Sequence, residues 1–384
     1  MQQPRTAAVQ PPNQPAGVAE PAPTMIPIGT HSLSASISGP VLSSISDPST
    51  SDPSASTAVS CPVPSSISDP TAAAAAHPLV VIIPGAGDVA SSYVAVERLL
   101  RPWTRTLLYD RSGIGRSEKD PALVNPDPDP PQPDSNPNSH SHPKYTTAPA
   151  RSVKAARELH LLLQKLGLNR SPLILLAHSY GGIVAREFLH LYPDAVAGMV
   201  LCDAATERMS DFFTVPDSNI ASVLGDLNYA RVTGLRGDTV LSDDEWRSRA
   251  RDIFAGPKGA QAEAASFVEV CEKLREKQQL RNRALGDKPL SVIRANSPRD
   301  YERIYEKGVQ AGNGTGEQRA AFRALLDRWE GIDCELQEEQ LVLSSTTRFV
   351  RLQDCGHNVH LVRPDVIVEE VRWVRDMVLG TGSI

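Results

Sequence analysis

The chain has 384 residues, a formal net charge of −6, 32 prolines and 5% aromatic residues. The mild negative balance excludes the basic stripe of a nucleic-acid binder, and the longest proline-free apolar run, Ala195 to Cys202, has eight residues where a bilayer span needs ~18. Five scattered cysteines (Cys61, Cys202, Cys271, Cys334, Cys355) form no C-x-x-C pair, which reads as reduced thiols rather than a disulfide framework or zinc site.

The N-terminus carries no apolar segment of signal type, so the expected location is cytoplasmic. Prolines are uneven: residues 1–76 hold 13, residues 119–149 hold 9, and the remaining 277 residues hold 10. That distribution predicts one ordinary globular core with proline-rich inserts. Residues 1–23 offer little to bury and read as a disordered tail. Leu33, Ala35 and Ile37 alternate with serines between Gly29 and Gly39, the period-two mark of a strand or small hairpin. Residues 40–76 return to Ser, Pro, Asp and Ala with two imperfect copies of one octapeptide, read as a low-complexity insert.

The core then alternates. Leu79–Ile83, Thr106–Tyr109, Leu173–Leu176, Val196–Leu201, Leu290–Ile293 and Arg348–Leu352 read as strands of a sheet covered on both faces, hence parallel. Ala156, Leu159, Leu163 and Leu166 predict a helix stopped by Gly167. Val184, Phe188 and Leu191 predict another before Pro193, and Ile367, Val371, Val374 and Val378 the last. The βαβ alternation implies an α/β doubly wound fold. Residues 119–149 form a Pro-rich loop, and 206–287 a charged, strand-free helical excursion too long for a plain connection, read as a lid.

The densest signal is Leu173-Ile-Leu-Leu-Ala-His-Ser-Tyr-Gly-Gly. A strand runs into Ala177-His178-Ser179-Tyr180-Gly181 and then into a helix, nearly the G-x-S-x-G pattern with Ala177 in the first glycine position. Such a turn is strained and lifts the serine Oγ above the sheet. The new helix aims its N-terminal N–H groups at a developing anion. Four landmarks in order carry a resemblance: Pro84-Gly-Ala-Gly87, Asp110-Arg-Ser-Gly-Ile-Gly-Arg-Ser117, the serine elbow, and Gly356-His357. On these the chain resembles the α/β-hydrolase superfamily of serine-nucleophile type, and its tail and inserts resemble filamentous-fungal members, some of which serve secondary-metabolite pathways. The resemblance implies an α/β-hydrolase fold over 24–384, a mostly parallel sheet flanked by helices with a helical lid. A serine sets it apart from relatives that use an aspartate nucleophile.

The resemblance implies a triad. Ser179 is the nucleophile, and the base follows the last strand, where His357 after Gly356 is favoured over His360. His178 beside the serine is expected to be structural. Most members place the acid after the later strand, which points to Asp300 after the fifth run, yet Asn296-Ser-Pro-Arg lacks the usual small-residue turn. The earlier strand end, used by a minority, points to Asp203 after the fourth run, which is favoured, with Asp300 as alternate. Imidazole is required because a serine hydroxyl is a poor nucleophile without a base of near-neutral pKa. The oxyanion hole needs two backbone donors, expected from Ala86 and Tyr180. Arg111, Gly113 and Gly115 are read as a bracing turn, since the pattern lacks a phosphate-loop signature. Phe212, Phe213, Tyr229, Trp246, Phe254 and Phe267 fall in the lid. Phe212 and Phe213 are expected to face a substrate pocket.

The reading is a soluble serine hydrolase acting on an ester, thioester or lactone of small to medium apolar size, with no metal or organic cofactor. The same triad supports acyl transfer or C–C bond hydrolysis as alternatives. A non-catalytic binding protein on this fold is the rival from another class.

Overall fold

The computed structural model describes residues 22–40, 77–121 and 150–382. The disordered-tail reading of 1–23 and the insert readings of 40–76 and 119–149 therefore fall almost wholly outside the described residues.

The sheet has eight strands: β1 Thr24–Pro27, β2 Ser32–Ser38, β3 Leu79–Ile83, β4 Arg105–Tyr109, β5 Leu173–His178, β6 Val196–Cys202, β7 Leu290–Arg294 and β8 Thr347–Arg351. They lie in the order β1-β2-β4-β3-β5-β6-β7-β8. The first two form an antiparallel hairpin joined antiparallel to β4, and every later pairing is parallel.

Helices of seven or more residues are, in chain order, α1 Val94–Leu100, α2 Arg151–Lys165, α3 Gly181–Leu191, α4 Ser218–Leu224, α5 Asp243–Ala255, α6 Pro257–Ala265, α7 Phe267–Arg275, α8 Ser297–Gln310, α9 Gly316–Glu339 and α10 Pro364–Val378. The central strands read as unbroken apolar runs because both faces are covered. Leu79, Val81 and Ile83 of β3 join a cluster with Leu159 of α2 and Val184 and Phe188 of α3. Val80 and Ile82 point to the other face, against Val96 of α1 and Val371 and Val374 of α10. Successive strand side chains alternate faces, so a continuous run is what two covering layers require. Gly167 ends α2 with φ 68°, the left-handed conformation that glycine adopts without penalty.

Two expectations need correction. Strand β8 is covered only in part: it closes the sheet as an edge strand, with Phe349 and Val350 half-buried against the clusters on opposite faces and Thr347 and Arg351 open to solvent. Between β7 and β8, where no helix is expected above, a second helical excursion, α8 and α9, stands. It packs on α4 through Val223, Ile304, Phe322 and Trp329. The signal was present. Phe322, Leu325, Leu326, Trp329 and Leu336 repeat at helical spacing behind a Thr315–Gln318 capping box. The charged residues interleaved with them disguised it.

The chain leaves β3 toward β4 on one side and returns to β5 on the other, so β3 and β5 flank a topological switch point. In open parallel sheets, ligand sites form in the crevice at the carboxyl ends of such strands. Those ends here are Pro84–Gly87 and Ser179.

Candidate active site

The turn after β5 puts Ser179 at φ 54°, a positive value rare for a residue with a side chain. Its neighbours show why the turn is spelled in small residues. A Cβ on Gly181 would sit 2.3 Å from the Ile83 carbonyl oxygen, and one on Gly182 would sit 2.7 Å from Ala204. Ala177, in the first glycine position of the G-x-S-x-G pattern, is fully buried near the end of β5. Ser179 N–H donates to the Cys202 carbonyl at 3.2 Å, tying the elbow to the end of β6.

Asp203 follows β6 directly, also at positive φ, 43°. Its Oδ2 lies 2.6 Å from His357 Nδ1. The same oxygen accepts from Ser297 Oγ, and Oδ1 accepts from the Ala295 N–H at 3.0 Å. Burial opposes the charge on this carboxylate, but His357 and the two donors outweigh it and hold Asp203 below the usual carboxylate range. Burial likewise opposes charge on His357; the hydrogen bond and charge of Asp203, with the charges of Asp300 and Asp333, hold it above its ordinary value.

Asp300, the alternate acid, reaches the same histidine at a different atom. Its Oδ2 accepts from the His357 backbone N–H at 3.0 Å and no contact to the imidazole joins it. A Cβ on Gly356 would fall 2.2 Å from the Asp300 carboxylate, so the glycine before the histidine is required by this aspartate. Burial raises the Asp300 carboxyl above its ordinary value, only partly offset by the His357 N–H.

The two other histidines lie behind the site. His178 Nε2 donates to the His357 carbonyl at 2.9 Å, which leaves Nδ1 to accept from the Tyr93 hydroxyl at 2.9 Å. His360 is fully buried, stacked on Tyr93 at 4.2 Å, with Nε2 3.2 Å from Asp88. Among the described residues, His178, His360 and Asp88 bring their ligand-type atoms close enough to hold a metal. Both nitrogens of His178 are engaged by Tyr93 and His357, so the set does not fit an ion.

A cavity of about 440 Å³ opens over the elbow, lined by Ala86, Ser179, Tyr180, Asp203 and His357 together. Its remaining wall is mostly apolar and comes from both excursions: Met209, Phe213, Ile220 and Phe267 from the first, Leu325 and Trp329 from the second. Asp333 of α9 also lines it, bound to Arg294 Nε at 2.7 Å. Burial, then the nearby Asp203 charge, push its carboxyl up to about 7. Among the described residues, the backbone N–H groups of Ala86 and Tyr180 have no protein acceptor.

The pocket expectation for Phe212 is corrected. Phe213 lines the cavity and packs against Trp329 with ring centroids 4.8 Å apart. Phe212, one residue earlier, does not line the cavity; it packs half-buried on the cluster of Phe213 and Trp329 and lies beneath the Arg208 guanidinium at 5.6 Å. Of the other lid aromatics, Tyr229 and Phe267 line the cavity, while Trp246 sits between Arg236 and Arg249 and Phe254 is 81% exposed.

The sequence pattern of the Alpha/beta hydrolase family matches residues 80–370. The chain belongs to the alpha/beta hydrolase family. Within the family it is similar to an "AB hydrolase superfamily protein" of Gibberella zeae, 28% identical over 311 residues that cover 78% of this chain and 87% of that one. It is also similar to a "Probable transporter efuK" of Hormonema carpetanum, 26% identical over 313 residues; those cover 80% of this chain but only 40% of that relative. The same fold is found in a putative lipase of Acinetobacter baumannii, with TM-score 0.56, 12% identity, and 93% and 92% of the two chains covered. A putative epoxide hydrolase of Pseudomonas aeruginosa shares it with TM-score 0.54 and 13% identity, covering 94% and 97%. No helix among the described residues of this alpha/beta hydrolase is long and apolar enough to cross a membrane.

Several residues around the site of this family member escaped the sequence reading. Ser297 and Ala295 serve Asp203 from the end of β7, a contact between strands that no local motif announces. Glu263, which binds Arg111 Nε at 2.6 Å, is one charged residue among many in a long helical segment.

Proposed function

We propose that the chain is a serine hydrolase that cleaves an ester, thioester or lactone through an acyl-enzyme. The observation that carries this reading is that Ser179, on a strained strand–helix turn, shares one cavity with a histidine whose Nδ1 lies 2.6 Å from a buried aspartate. His357 Nε2 takes the Ser179 hydroxyl proton as Oγ attacks the carbonyl carbon. Asp203 accepts from Nδ1–H, fixes the tautomer and steadies the imidazolium. The Ala86 and Tyr180 N–H groups receive the oxyanion, two donors free to bond the charge that develops in the transition state. Collapse of the tetrahedral intermediate breaks the bond to the leaving oxygen or sulfur, which takes the proton from His357. Water, deprotonated by the same imidazole, then releases the acid and restores Ser179.

The apolar wall favours an acyl chain of small to medium size. Residues 206–287 act as the lid, joined by α8 and α9. Cytoplasmic placement and service in a secondary-metabolite pathway belong to this reading as well.

Labelling with a fluorophosphonate tests it. Wild-type protein is expected to label at Ser179, while Ser179→Ala does not label and loses about 10⁶-fold in kcat. Equal labelling of the two proteins sinks the proposal. An acceptor alcohol added to the assay separates hydrolysis from acyl transfer by product.

A further inference from the structure

We propose that Glu263 is a positioning residue for the oxyanion loop, acting through Arg111 and through the peptide on the far side of Ala86. The inference rests on the serine-hydrolase reading above and adds a role for the cap within it.

The Ala86 peptide is held from both sides. On one side, the Gly85 carbonyl accepts from Arg111 Nη2 at 2.6 Å, and the Gly85 N–H donates to the Tyr93 hydroxyl at 3.1 Å. Arg111 Nη1 also donates to the Pro84 carbonyl at 2.6 Å. On the other side, the Gly87 N–H donates to Glu263 Oε2 at 2.7 Å. Glu263 closes the ring by accepting from Arg111 Nε at 2.6 Å and from Nη2 at 2.8 Å. The guanidinium lies 5.5 Å over the ring of Tyr180, the residue that bears the second donor. Both charged side chains are nearly inaccessible, at 3% and 4% exposure.

Helix α6 is seated so that this reach is fixed. A Cβ on Gly87 would meet Ala260 at 2.6 Å, and Cβ atoms on Gly256 and Gly259 would fall 2.8 and 2.3 Å from the Gly113 carbonyl oxygen. Glycine at these points lets the cap backbone press on two core loops. One carboxylate from the cap thus satisfies two donors that together set where the Ala86 N–H points. A donor must lie within about 0.5 Å of its productive place for full effect, and the residues that hold it there are as necessary as the donor.

Glu263→Gln replaces one acceptor oxygen by an amide NH2 group, which then faces either Arg111 Nε or both Gly87 N–H and Arg111 Nη2, donor against donor. Aspartate keeps the charge and the pairing with Arg111 but is too short to serve Gly87 as well. The expected result for Glu263→Gln is a kcat lower by about 10- to 100-fold, the scale of a misplaced catalytic geometry, with KM within about twofold of wild type. Affinity for a trifluoromethyl ketone bearing the substrate's acyl chain should fall by a matching factor, because only the tetrahedral adduct uses the oxyanion donors. Glu263→Asp should show the same split more mildly, and it carries the test if the glutamine variant does not fold. A rise in KM with kcat unchanged would make Glu263 a substrate contact and overturn the proposal. So would unchanged kcat in both variants, or lower melting temperature with unaltered kinetics and ketone affinity. If the wild type fails to label with fluorophosphonate, the serine reading falls and this proposal with it. If the wild type labels and turns over while both variants match it, this proposal alone falls.

Discussion

Two adjacent strands end beside the same histidine and supply it with different things. Strand β6 ends in Asp203, whose carboxylate meets the imidazole at Nδ1. Strand β7 leads into α8, where Asp300 meets only the backbone N–H of His357. Both carboxylates are buried, and both raise the pKa of His357 through their charge. What separates them is the number and kind of donors around each. Three donors hold Asp203 ionised below its ordinary value, whereas burial wins at Asp300 and raises it. Proximity of charge tunes a base, but orientation of a proton needs contact with the ring. In the proposed chemistry Asp203 does the second task, and Asp300 pegs the Gly356–His357 turn in place.

Exchanging the two aspartates for asparagine is the sharpest way to break this contrast. Asp203→Asn presents an amide to Nδ1 and favours the wrong tautomer; the expected loss in kcat is about 10⁴-fold. The proposed mechanism requires the neutral imidazole, so kcat/KM is expected to fall as pH drops through the His357 pKa. The Asp203 hydrogen bond and charge hold that pKa above the ordinary histidine value, which moves the acid limb up in pH. In Asp203→Asn the limb should move down, as the largest raising influence is gone. Asp300→Asn keeps an acceptor for the His357 N–H and removes one charge. Its kcat is expected to fall by no more than about tenfold, since the oriented imidazole, the costly part of the triad to lose, is untouched. Its acid limb should shift down slightly. A collapse confined to Asp300→Asn, measured in folded protein, would reverse the assignment.

The same contrast explains what could be read from the sequence and what could not. The serine turn at Ser179, the Gly356–His357 step and the central strands β3, β5 and β6 are legible because their sequence patterns are local. A strand must be apolar throughout when both faces are covered, and an elbow must be small around its serine. The choice between Asp203 and Asp300 was less clear, because both follow strands, and spacing along the chain does not say which carboxylate faces the ring. Ser297 reaches Asp203 across 94 positions of sequence, and Glu263 reaches Arg111 across 152. Partners so distant leave no periodic trace. The α8–α9 excursion is legible in principle through its spacing and capping box, but the charged residues interleaved with the apolar ones mask its periodicity.

Phe212 and Phe213 carry the contrast to its smallest scale: they share one apolar cluster, but only Phe213 lines the cavity. Phe213 contributes to the cavity wall and packs on Trp329. Phe213→Ala should therefore weaken binding of a medium-chain acyl ester while sparing an acetyl ester too short to touch the ring. The expected change in kcat/KM for the longer ester is about 10- to 100-fold, the range that lost apolar contact in a pocket supplies. The truncation should also cost about 3 kcal/mol in unfolding free energy, because the ring is buried in the cluster between α4 and α9. Phe212→Ala removes a cation–π contact with Arg208, worth about 0.5–1 kcal/mol, together with the packing of a half-buried ring on the cluster, and should cost less in unfolding free energy than Phe213→Ala. It should leave the chain-length profile unchanged. Steady-state kinetics over an ester series, paired with urea unfolding of each variant, reads both effects. If Phe212→Ala alters chain-length preference and Phe213→Ala does not, the acyl chain runs along a different wall from the one lined by Phe213 and Trp329.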